Sequence, residues 1–227
     1  MADESSRPQQ PSVQHDAIVA AFMALLAEKR FEDIGFAEIA RRAGVSLSDV
    51  RMKHASKIEM LAAYMRDVDR AVLDGIDPGL ADEPPRERLF DVLMRRLDVL
   101  AADKAAVKSL WQSARFNPGL TLAVNGLAAR SMQWMLTAAD ISATGPKGMI
   151  RAQGLTFLFG SVMRTWANDD DPGQARTLAA LDRALSSGQR WAGLLDDLFR
   201  IPEAACGASR AFSRRRHDDR GKESAAA

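Results

Sequence analysis

The sequence predicts an all-α protein of about nine helices, with an N-terminal helix-turn-helix module followed by a larger helical domain. Three observations carry this. Ala, Leu and Arg abound while β-branched residues are few and there is one tyrosine, a composition that favours helix over strand. Apolar residues recur at intervals of three and four along most of the chain. Helix-start signals, a short polar residue followed by proline or by an acid three positions on, punctuate that pattern.

Residues 1–12 are polar, contain proline and lack periodicity, so they read as a disordered arm. From 13 to 29, Ile18, Phe22, Leu25 and Leu26 mark the first helix. Phe36 to Ala43 reads as a short second helix, which Gly44 ends. Ser46 with Asp49 gives one helix start and Ser56 with Glu59, in the capping-box form, gives another ten residues on, bracketing a third helix of about eight residues. The fourth carries Met60, Leu61, Tyr64, Met65, Val68 and Leu73 to about Gly75.

A loop with Pro78 and Gly79 precedes Pro84-Pro85, which opens the fifth helix with Leu89, Leu93, Leu97 and Leu100. Residues 104–116 form the sixth. Asn117-Pro118 opens the seventh, to about Ala139, and Gly145-Pro146 the eighth, to about Asn168. Asp171-Pro172 is read as the start of the last helix, ending near Phe199. Residues 201–227 are small, polar and basic and read as a flexible tail.

Charge narrows the function classes. The net charge is +1, so no global field draws the chain onto nucleic acid or an anionic membrane, and any such surface must be local. Between Arg41 and Lys57 there is such a patch: Arg41, Arg42, Arg51, Lys53 and Lys57 stand against Asp49 alone. The single cysteine, Cys206, cannot form an internal disulfide. With no signal-peptide pattern at the start and no apolar run of about 18 residues, a cytoplasmic location is expected.

Enzymatic chemistry finds no foothold. His15, His54 and His217 are the only histidines and lie apart in the sequence, and no Cys/His spacing suits a metal. No Gly-rich phosphate loop follows a strand. Asp169-Asp170-Asp171 precedes a helix start, where capping explains acids better than a cation does. No catalytic residue, metal or cofactor is expected.

The stretch from Phe36 through Arg51 carries the function. Ile39, Ala40, Val45 and Val50 make a small shared core, Gly44 makes the turn and Ser46 starts the second helix. This layout lets a second helix enter a major groove while the first crosses the backbone. Residues 13–75 resemble the DNA-binding domain of the tetracycline-repressor (TetR) family, through Ile39-Ala40 and Ala43-Gly44-Val45-Ser46.

The resemblance implies that Leu47, Ser48 and Arg51 face bases or the groove. It places Lys53 and Lys57 where phosphates are held; Arg41, Arg42 and Ser46 complete the expected DNA-binding set. The chain departs from the family at the end of this helix. Arg51-Met52-Lys53-His54 replaces the usual Tyr-x-His-Phe, so His54 takes the place of the core phenylalanine. The module is bounded at 13–57 and the helical domain at 58–200.

Residues 86–195 carry a second resemblance, to the lipid-binding accessory protein of coenzyme Q (ubiquinone) biosynthesis, itself built on the TetR fold. Arg88 to Met94, Arg130 to Leu136, Arg164-Thr165-Trp166 and Thr177 to Leu185 carry it. It implies an isoprenoid ligand, a ubiquinone-pathway enzyme as partner and peripheral membrane contact, as an alternative to a regulator that binds an operator in double-stranded DNA. Either way, Trp111, Phe116, Met132, Met135, Phe157 and Met163 lie on successive helices and are expected to line a pocket for a small hydrophobic ligand. Leu178, Leu181, Leu185, Trp191 and Leu195 form a stripe along the last helix, which reads either as the chain's own core or, as the resemblance implies, as part of an interface that pairs two copies into a homodimer.

Overall fold

The computed structural model describes residues 16–187. The first helix, α1 (Ala17–Glu28), begins where Asp16 Oδ1 accepts the Ile18 N–H at 2.9 Å. It buries Ile18, Val19, Phe22, Leu25 and Leu26. A 3-10 turn at Phe31–Asp33 sets Phe31 edge-on to Phe22, with ring centroids 6.1 Å apart. Then come α2 (Phe36–Ala43), α3 (Leu47–Lys53) and α4 (Lys57–Asp74).

The larger part of the bundle follows as α5 (Pro85–Leu100), α6 (Lys104–Ala114), α7 (Pro118–Ala138) and α8 (Gly145–Trp166). A ninth helix, α9, begins at 175 and is described to 187. Among the described residues there is no strand, so the all-α expectation holds. The starts expected at Pro85, Pro118 and Gly145 all stand, Asn117 capping α7 by accepting the Leu120 N–H at 3.0 Å. No helix among the described residues is long and apolar enough to cross a membrane.

One connected apolar core runs from Ile18 to Leu185 and passes through the expected boundary at 57 without interruption. α1 packs on both α2 and α6, and α4 packs on α1, α5 and α7. Inside this core lies one charged junction. Asp69 Oδ1 on α4 accepts from Arg96 Nη1 on α5 and from Ser131 Oγ on α7, each at 2.5 Å, and all three residues are buried.

Three expectations need correction. The last helix does not begin at Pro172. Asp171 Oδ1 instead accepts the Gly173 N–H at 3.2 Å in a tight turn, Gln174 takes a left-handed φ of 49°, and the helix starts at 175. Two acids share the cap: Asp171 Oδ2 accepts the N–H of Ala175 at 3.3 Å, and Asp169 Oδ2 accepts both the N–H and the hydroxyl of Thr177, at 2.9 and 2.7 Å.

Leu181 and Leu185 do not form an outward stripe. They are 0% and 5% exposed and belong to the chain's own core, so only Leu178 of that set reaches the surface among the described residues. Trp191 and Leu195 lie outside the described residues, as do the arm and the tail. The pocket set also divides. Met132, Met135 and Met163 are buried and Trp111 is half-buried, whereas Phe116 and Phe157 are 77% and 69% exposed. Phe157 lies between the buried Leu155 and Phe159, on the other side of α8.

Candidate nucleic-acid interface

The turn between α2 and α3 is built by glycine and then serine. Gly44 sits at φ 69°, a left-handed conformation that a side chain would strain. The Gly44 N–H reaches the Arg41 carbonyl at 3.3 Å and the Val45 N–H reaches that of Ala40 at 3.1 Å, the bond pair of a Schellman end. Ser46 then caps α3. Its hydroxyl accepts the Asp49 N–H at 3.1 Å, and Asp49 Oδ2 accepts the Ser46 N–H at the same distance. The Ser46 hydroxyl also donates to Asp49 Oδ2 at 2.6 Å. These bonds hold the Asp49 carboxyl below its usual range, with the Ser46 side chain the main cause.

The second cap departs from the expected form. Ser56 does accept the Glu59 N–H at 3.1 Å, but the Glu59 carboxylate takes the N–H of Ala55, not of Ser56, at 2.5 Å.

α3 is held by one buried residue, Val50, and by His54 at its end. Everything else on it is exposed. At about 100° per residue, Ser48 and Met52 lie about 160° around the helix from Val50, and so form its outward ridge. Leu47 and Arg51 make one flank, Asp49 and Lys53 the other. Met52 is 85% exposed and was not among the residues the sequence singled out. Its spacing four after Ser48, opposite Val50, was the available signal.

His54 packs beneath the helix as expected from its place in the motif. It is 9% exposed, and neither ring nitrogen has a hydrogen-bond partner.

The basic residues are handled unevenly. Lys53 Nζ bonds Asp16 Oδ2 at 2.8 Å, tying the end of α3 to the cap of α1. Arg42 bonds Glu28, and Lys29 bonds Glu38 at 2.6 Å. Each pair holds its carboxyl below the usual range, the partner cation being the main cause. Arg41 and Arg51 are exposed.

Lys57 is the correction here. It was expected to meet phosphate, but its ammonium donates to the carbonyls of Phe31 at 2.6 Å and Ile34 at 3.0 Å and lies 4.4 Å from the Phe31 ring centre. Burial pushes its pKa down. It braces the loop before α2.

That loop is gripped from the other side by α6 and the start of α7. The Phe31 N–H donates to Ser113 Oγ at 3.1 Å, Ser109 Oγ donates to the Lys29 carbonyl at 2.9 Å, and Asn117 Nδ2 donates to Glu32 Oε1 at 3.1 Å. A cleft of about 240 Å³ opens beside these bonds, lined by Arg30, Glu32, Asp33, Ser113, Phe116 and Asn117. Five of these six residues are polar or charged, and Phe116 is the only member of the expected apolar set that reaches the cleft. No cluster of three or more metal-binding side chains occurs among the described residues.

No protein-family model matches the chain, and no curated protein matches it. Solved structures do. A TetR transcriptional regulator from Nitrosomonas europaea aligns with a TM-score of 0.61 at 24% identity, over 77% of this chain and 97% of that one. A TetR transcriptional regulator from Rhodococcus sp. RHA1 gives 0.51 at 24% identity, over 74% and 93%. A TetR-family regulator from Streptomyces coelicolor gives 0.50 at 16% identity, over 82% and 86%. At these identities the likeness establishes the fold: the chain has the architecture of TetR-family regulators. All three are described as transcriptional regulators, so the resemblance of 86–195 to a ubiquinone accessory protein gains nothing from them.

Proposed function

We propose that the protein is a DNA-binding transcriptional regulator that acts as a homodimer and responds to a small hydrophobic ligand. One observation carries the reading. α3 is fixed to the body by Val50 and His54, and presents its remaining side chains outward behind a glycine turn and a closed capping box. A short helix so displayed suits insertion into a major groove. Leu47, Ser48 and Arg51 then face base edges, with Arg41, Arg42, Ser46 and Lys53 at the flanking phosphates; Lys57 keeps its bracing role. The module of 13–57 meets DNA and the domain of 58–200 receives the ligand.

Dimerisation rests on α7 and α8 in place of Leu181 and Leu185. Leu122 and Trp134 on α7, and Met149, Ile150 and Phe157 on α8, are large apolar side chains left exposed. α7 packs on α8, and a reciprocal amide pair, Asn125 with Gln153, links them at 3.3 and 3.0 Å. Two copies joined here bury that apolar area and provide the two-fold symmetry that paired half-sites need. Sedimentation should give a dimer for the wild type and a monomer for Ile150→Arg with Phe157→Arg. The methionines Met132, Met135 and Met163 remain the adaptable apolar surface for a ligand. Tryptophan fluorescence titrated with fatty-acid and isoprenoid ligands should show a saturable response.

The deciding experiment is fluorescence anisotropy on the DNA upstream of the protein's own gene, against a shuffled duplex, at several salt concentrations. Affinity should be higher for the upstream duplex and should fall with salt. Arg51→Ala should reduce the preference. Equal, weak binding of both duplexes by both proteins would sink the regulator reading.

A further inference from the structure

We infer that Met52, at the outward ridge of α3, reads the C5-methyl group of thymine in the operator. The inference rests on the regulator reading proposed above and concerns which base chemistry this helix recognises.

α3 leaves few of its side chains free. The hydroxyl of Ser48 lies 2.8 Å from that of the cap residue Ser46, which itself donates to Asp49, so Ser48 can offer a base only its acceptor lone pairs. The Asp49 carboxylate is closed into the capping box, and Lys53 is drawn sideways to Asp16. Leu47, Arg51 and Met52 remain. Met52 stands furthest out, four residues after Ser48 and opposite buried Val50. At 85% it is the most exposed of the large apolar side chains among the described residues.

An apolar side chain at the pole of a groove-docked helix has one apolar feature to meet on a base edge. In the major groove that feature is the thymine methyl; the other base edges there present hydrogen-bond donors and acceptors. A thioether on an unbranched stem can follow such a methyl group without fixed directionality. Leu47, 53% exposed on the adjoining flank, extends the same apolar surface toward the N-terminus of the helix.

The test uses duplexes selected by the full-length protein from a random double-stranded library, then resynthesised with deoxyuridine replacing thymidine one position at a time. Deoxyuridine pairs as thymine does and lacks only the methyl. At one or more positions in each half-site the replacement should weaken wild-type binding by about fourfold, the factor expected for one buried methyl group. Met52→Ala should bind the thymidine and deoxyuridine duplexes alike. Met52→Gln keeps the length and removes the apolar end, and should also lose the distinction. Since Met52 is exposed, neither change should alter the melting temperature. Sequence-selective binding with no deoxyuridine effect would overturn this inference and leave the regulator reading standing. Failure to recover any selective sequence would overturn both.

Discussion

The ion pairs around α2 and α3 and the one between α4 and α5 are built for different ends. Around α2 and α3, Lys53–Asp16, Arg42–Glu28 and Lys29–Glu38 lie at the surface and cross from one helix to another. Between α4, α5 and α7, Arg96–Asp69 is shut inside the core with Ser131. An exposed pair contributes little to stability and exchanges readily for another partner. A buried pair costs much to desolvate, and more to leave half-made. The pairs beside the candidate DNA surface can therefore pass their cations to phosphate, while the inner one fixes how three helices meet.

The inner pair should give the largest effect when it is disrupted. Arg96→Ala leaves the Asp69 carboxylate buried without its cation, and should lower stability by about 3–5 kcal/mol in chemical denaturation. The paired change Arg96→Met with Asp69→Leu should recover much of that loss, because no charge is then stranded. If the single change left the midpoint unmoved, the inner pair would be no more than a surface bridge.

His54 sharpens the contrast from the other side, as a buried polar group beside the exposed pairs. Neither of its nitrogens is bonded. His54→Phe removes an unsatisfied group and restores the residue the motif usually carries there. It should raise stability by about 1–3 kcal/mol, read as a higher denaturation midpoint.

The smallest effects belong to the surface pairs. Lys53→Ala should hardly move the denaturation midpoint. It should instead weaken binding to all DNA sequences alike and lower the salt dependence by about one unit per subunit. Their response to pH follows from the depressed carboxyls of Asp16, Glu28 and Glu38. A carboxyl held below its unfolded value adds stability that is fully present above that value, and loses it as pH falls through the folded one. These pairs should leave stability flat from about pH 5 to 8 and release it only below about pH 4. Thermal melts of wild type and Asp16→Asn should therefore differ only slightly near neutral pH and coincide at the acid end.

Local signals in the sequence were the dependable ones. Gly44, Ser46 with Asp49, Asn117 and the prolines act on their own few residues of backbone, so they located turns and helix starts before any packing was known. Where two signals competed, sequence order misled. Asp171-Pro172 looks like a start, but Asp169 reaches Thr177 from further back and the helix begins later.

Facing was harder to read. α8 is apolar on much of its circumference, so nothing local separates Phe157, which is exposed, from Phe159, which is not. Periodicity said that Leu181 and Leu185 are buried without saying against what. Among the site residues, Lys57 shows what charge alone does not reveal, two backbone carbonyls that take up its ammonium.

The grip on the loop at Phe31–Asp33 has a practical bearing. Ser109, Ser113 and Asn117 hold this loop from α6 and the start of α7, and Phe31 itself is buried. A hybrid that transplants only residues 13–57 onto another sensor would cut all three bonds and strip α1 of the helix it packs on. It would also inherit an apolar flank that its new host has no reason to match. A graft meant to change which operator is read should therefore exchange the side chains of α3 in place and leave the α1–α6 seam untouched.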